Sequence, residues 1–136
     1  MSLFASPRFL RQVLLLDAAT GLGSGALQLG APAALPAWTG LPAALLLESG
    51  VFLLLYAASL FWLAGRRPIP AAGVWLLVVG NLAWGVVCVA LMLGPWVQPT
   101  GWGLAYLALH AVSVLLMAGL QWIGVRRLHS TGLMTA

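Results

Sequence analysis

At 136 residues, with 62% of them apolar and only 6% charged, the chain lacks the polar surface a water-soluble domain needs to cover its core. The net charge of +4 is that of six Arg, with no Lys, set against one Asp and one Glu. These Arg flank the ends of apolar runs rather than forming a basic face, so they read as topological anchors, and nucleic acid is excluded as a partner.

The first apolar run, roughly residues 12–30, follows Arg8 and Arg11. About 20 residues of helix cross ~30 Å of hydrocarbon, so the run is long enough to span a bilayer. Ala31-Pro32-Ala33 resembles a signal-peptide cleavage site, but the run is long, holds Asp17 and Gln28, and meets Pro32 at an awkward position. It is therefore expected to be a retained span. Asp17, Thr20, Gly21, Ser24 and Gln28 recur at steps of three and four and share one helical face. Gly21 and Gly25 form a GxxxG spacing, which permits close helix approach within a bundle or between two copies.

The uncharged connection 31–41 is rich in Pro and Ala and is expected to lie against the membrane interface. The second run, 42–64, carries Glu48, Phe52, Tyr56 and Ser59 along one side. Gly65-Arg66-Arg67-Pro68-Ile69-Pro70 then joins two helical hairpins of similar length, its prolines suited to an extended link and to starting the next helix. The third run, 71–93, presents Asn81, Trp84, Gly85 and the single cysteine, Cys88. After the uncharged loop 94–101, the fourth run, 102–125, places Tyr106, His110, Ser113, Met117, Gln121 and Gly124 on one face. Arg126 and Arg127 follow, and Leu128–Ala136 reads as a short loose tail.

Arginines flank only the chain ends and the middle loop, so by the positive-inside rule both termini and that loop are cytoplasmic. Trp38, Trp96 and Trp102 near one set of span ends, with Trp62, Trp75 and Trp122 near the other, form the expected aromatic belts. Only Trp84 falls at mid-depth. The expected fold is all-α: a single domain over 1–136, an integral membrane four-helix bundle, up-down-up-down, with N-in and C-in termini.

Each helix carries one stripe of polar or small residues, and lipid is a poor environment for all four stripes, so they are expected to converge. Depth estimates at ~1.5 Å per residue suggest two polar centres. Asp17 and Tyr56 share the inner half, Thr20, Asn81 and Ser113 lie near the midplane, and Glu48, His110 and Ser24 share the outer half. Glu48 with His110 is the pair to which a ligand-binding or proton-handling role is attached, because intramembrane acids are functional candidates by default. The plainer alternative is an interhelical hydrogen bond that only sets packing. Asp17 leans towards structure or assembly, and Trp84 is either a ligand-stacking wall or a packed core aromatic.

One intramembrane His excludes bis-His haem ligation, and Glu48 with His110 falls short of a zinc site, so no cofactor or metal is expected. No GxSxG, HExxH or phosphate-binding glycine loop is present. A lone Cys excludes a CxxC redox centre.

Leu10-Arg11, Leu16-Asp17-Ala18-Ala19-Thr20-Gly21, Val74-Trp75 with Asn81, and Leu120-Gln121 with Gly124 and Arg126-Arg127 together resemble small four-helix inner-membrane proteins of bacteria with GC-rich genomes. The resemblance implies a location in the bacterial inner (cytoplasmic) membrane and brings no activity with it. The small multidrug resistance transporters share only four helices and a first-helix carboxylate; Glu48 and His110 are not their pattern.

The expected function is a non-catalytic small inner-membrane protein, an accessory or assembly subunit or a binder of a lipophilic ligand. Its partners would be the lipid bilayer and a membrane protein, a second copy in a homodimer, or a lipophilic small molecule. Two alternatives are proton-coupled transport of a small solute by a homodimer, with Glu48 as coupling acid, and an intramembrane isomerase-type lipid enzyme using Glu48 and His110.

Overall fold

The computed structural model describes residues 6–130 and is built from helices: α1 (Pro7–Gly30), the short α2 (Ala34–Thr39), α3 (Ala43–Gly65), α4 (Ala71–Leu93) and α5 (Gly101–Ser130). Four of these are long and apolar enough to cross a membrane, as in a multi-pass membrane protein. Their outward faces agree with that reading. Leu55, Leu76, Val79, Val86, Leu109 and Leu116 are all exposed, a continuous apolar surface that water would not tolerate but lipid does.

Two helix ends differ from the sequence expectation. α1 starts at Pro7 rather than near residue 12, because Pro occupies a first-turn position where its missing N–H costs nothing and Ser6 Oγ accepts from the Phe9 N–H at 3.1 Å. α5 continues past residue 125 to Ser130, and Leu128 is buried, so the start of the supposed tail is a packed part of the last helix. Residues 131–136 lie outside the described residues. Within the connection 31–41, Ala34–Thr39 forms the short helix α2, ended by Gly40 in the left-handed region at φ 68°. A side chain at Gly40 would also meet the Gln98 carbonyl oxygen 2.7 Å away.

Helix α1 packs along α3, α4 packs along α5, and contact between α1 and α5 joins the two pairs. Along the first pair, Arg11 donates to the Arg66 carbonyl (3.2 Å), Asp17 meets Tyr56, and Gln28 meets Ser49. The glycines make this seam close: a Cβ on Gly25 would stand 2.9 Å from the Gly50 carbonyl oxygen. The GxxxG spacing is thus used inside the chain, against α3. At the Arg-bearing end, Leu10, Leu14, Leu60, Leu63, Val74 and Val125 form one apolar cluster. At the opposite end Leu35, Leu41, Leu46, Cys88, Leu107 and Ala111 form a second. The polar side chains lie between.

Candidate functional site

The centre of the bundle is a carboxylate tied to all four long helices. Asp17 of α1 is 4% exposed. Its Oδ2 accepts hydrogen bonds from the Tyr56 hydroxyl of α3 (2.9 Å), Asn81 Nδ2 of α4 (3.0 Å) and Gln121 Nε2 of α5 (2.6 Å). Asn81 Nδ2 also donates to Gln121 Oε1 at 3.3 Å, closing the knot on itself. Measured from the helix ends that carry the arginines, all four residues lie roughly 14–15 Å along their axes at ~1.5 Å per residue. This is the depth at which an unsatisfied polar group is most costly, and three donors on one oxygen offset that cost.

A second, three-helix link lies towards the other end. Ser49 Oγ donates to Gln28 Oε1 (2.9 Å), and Gln28 Nε2 donates to the Tyr106 hydroxyl (2.6 Å). Gln28 uses both ends of its amide in this link and is buried, as is Ser49.

Between these two centres lies a cavity of about 750 Å³, lined by side chains of α1, α3, α4 and α5. It lies where the bundle is not closed, since α3 and α4 share no extended contact. Its size falls within the range of small-molecule sites. Its walls are largely apolar, with Leu53, Leu77, Val114 and Met117 among them, and Asp17, Asn81, Ser24 and Ser113 supply polar points. Phe52 stacks on Tyr56 (ring centroids 6.2 Å, planes at 18°) and on Trp84 (6.3 Å, 28°), so three rings form a continuous wall that begins at the Asp17 knot. Two buried nitrogens of lining residues, Trp84 Nε1 and His110 Nε2, have no hydrogen-bond partner. Such groups are rare in a well-packed interior.

The expected Glu48–His110 pair is not formed. Glu48 lies on the exposed side of α3, about 8 Å from the start of that helix at ~1.5 Å per residue. There it can reach the headgroup region without help from the bundle. His110 is turned inward: its Nδ1 engages the Tyr106 carbonyl oxygen at 3.0 Å, and its ring tilts against that of Tyr106 at 4.3 Å between centroids. Equal depth does not bring the two together because it does not fix helix rotation. One turn of α3 carries Ser49 inward and Glu48 outward.

The structure brings Asp17, Tyr56 and Asn81 into direct contact and gathers Trp84, His110 and Ser113 around the same cavity, leaving Glu48 outside. Sequence reasoning placed Gln121 on the polar face of the last helix but not at the Asp17 level. The reason is the helix end: with the span stopped near 125, Gln121 counts as shallow, and with α5 running to Ser130 it drops to the depth of Asp17. Ser49 was missed because nothing separates a lone serine beside Glu48 from a lipid-facing one.

Among the described residues no three of His, Cys, Asp and Glu come together as a metal site. Compared with known proteins, the chain matches no family model, no curated protein and no solved structure.

Proposed function

We propose that this chain is a non-catalytic small protein of the bacterial inner membrane that holds a lipophilic ligand inside its bundle. Its four spans run up-down-up-down with both termini cytoplasmic, as the placement of the arginines supports. The observation that carries the function is the mid-bundle cavity of about 750 Å³, apolar in most of its walls and furnished with polar points at Asp17, Asn81, Ser24 and Ser113. A space that existed only through imperfect packing would more naturally be lined by apolar atoms alone. The Asp17 knot is a rigid floor, since each helix contributes one side chain to it and none can rotate without breaking a hydrogen bond.

The proton-coupled and isomerase readings rested on Glu48 beside His110 and lose that pairing here. Native mass spectrometry on protein extracted gently from its own membrane tests the ligand reading. The expected spectrum shows a reproducible small-molecule adduct on the wild-type chain and loses it in Gly80→Phe, which fills the cavity from its α4 wall. A bare chain in every preparation would overturn it, whereas an additional protein mass would assign the chain as an assembly subunit.

A further inference from the structure

The cavity has a charge character that its apolar walls conceal. Among its lining residues there is no Arg, and the chain contains no Lys; the single acidic group is Asp17. The three donors to Asp17 Oδ2 are a phenol and two amides, all neutral. Among the described residues no cation offsets the carboxylate: the nearest arginine on its own helix, Arg11, is engaged with the Arg66 carbonyl. The knot therefore supplies the hydrogen bonds an anion needs but not a counter-charge, and buried charges in membrane interiors are as a rule paired. Only Oδ2 is used; Oδ1 accepts no hydrogen bond among the described residues. The aromatic wall of Tyr56, Phe52 and Trp84 starts at this carboxylate, and ring faces attract cations. Thr20, Ser24, Ser59 and Ser113 add hydroxyl oxygens to the lining, which suit the rim of a positive group. His110 and the Tyr56 phenol are the other titratable groups in the lining.

We infer that the cavity is a site for a lipophilic organic cation, with the Asp17 carboxylate as its counter-charge through Oδ1 and the Tyr56–Phe52–Trp84 rings as its wall. This rests on the ligand-binding reading above and names the chemical class of the ligand. The cation reaches the site between α3 and α4, where the bundle is unclosed, and its apolar substituents contact Leu53, Val114 and Met117.

The test compares three probes of similar shape and different charge on wild-type protein in nanodiscs, by equilibrium dialysis with empty nanodiscs as the partition blank. The probes are tetraphenylphosphonium, neutral triphenylphosphine oxide and anionic tetraphenylborate. The expected order is cation tightest, at least about tenfold over the neutral probe, a ratio a single ion pair or cation–π contact can supply, with the anion weakest. In Asp17→Asn the cation loses its advantage while the neutral probe still binds. Phe52→Leu leaves the knot intact and removes one ring face, so it should weaken the cation roughly threefold to tenfold and the neutral probe less. This second variant reports on the site even if Asp17→Asn fails to fold. Equal binding of cation and neutral probe to the wild type would overturn the counter-charge role and leave the ligand-binding cavity standing. Binding of none of the three above the blank would overturn both.

Discussion

The two carboxylates of this chain sit in similar apolar surroundings by sequence and in opposite surroundings by structure. Asp17, at mid-depth in α1, is almost wholly buried and receives three hydrogen bonds from three other helices. Glu48, less than two turns into α3, faces outward. The difference follows from the distance each must cover to reach water. A side chain near a helix end can extend to the headgroups, so it need not be satisfied inside; one at ~15 Å cannot, so the bundle must be built around it. The region around Asp17 is therefore where the four helices are specified relative to one another, and the Glu48 side chain takes no part in that specification.

That contrast can be broken by substitution. The largest effect is expected for Asp17→Leu, which strands Tyr56, Asn81 and Gln121 without their shared acceptor. A loss of about 3 kcal/mol is expected, most of it the penalty of buried unsatisfied donors, measured by reversible unfolding in bicelles. A stable Asp17→Leu variant would show that the knot is incidental to the fold. Next comes Gly25→Val, which drives a side chain into the Gly50 carbonyl and Leu54 across the α1–α3 seam. It should cost about 1–3 kcal/mol, as overpacking does, and crosslinking yield between cysteines introduced on α1 and α3 should fall with it.

Smaller changes sharpen the comparison. Tyr106→Phe removes the hydroxyl that receives Gln28 Nε2 and should cost about 0.6–1 kcal/mol, the usual worth of a hydrogen bond inside a membrane protein. A loss as large as that of Asp17→Leu would mean the Gln28–Ser49–Tyr106 link, not the knot, organises the bundle. Glu48→Gln should change stability by less than about 0.5 kcal/mol, as exposed substitutions do. A large effect there, in the same unfolding assay, would place Glu48 in an interface with a partner chain.

Much of this architecture is legible in the sequence because the bilayer imposes its own length scale. Four apolar runs separated by charged or Pro/Gly-rich links correspond to α1, α3, α4 and α5, with Trp38, Trp96 and Trp102 exposed close to their ends. The polar stripes of α1, α4 and α5 are equally legible, with Asp17, Asn81 and Gln121 on the faces that periodicity assigns, whereas the α3 stripe holds Tyr56 inward but not Glu48. What could not be read was which stripe residues meet. The depth of Gln121 depended on where α5 ends, and hydropathy falls at Arg126 although the backbone continues helical to Ser130 and buries Leu128. The orientation of Glu48 depended on the rotation of α3, which Gly25 and Gly50 set by letting α1 approach on that side. A residue absent from the expected centre, Ser49, took the inward position instead.

By itself, then, the sequence determined the number of long helices, their apolar character and, on all but α3, the face on which polar side chains lie. Those follow from local periodicity and from the transfer cost of each side chain, which every residue carries independently of its neighbours. Only the tertiary structure decided that Asp17 joins four helices, that Glu48 stays outside, and that Phe52, Tyr56 and Trp84 line one cavity. Such contacts depend on helix rotation and axial offset, and these are set by close packing at a few small residues together with hydrogen bonds that no single helix can form alone.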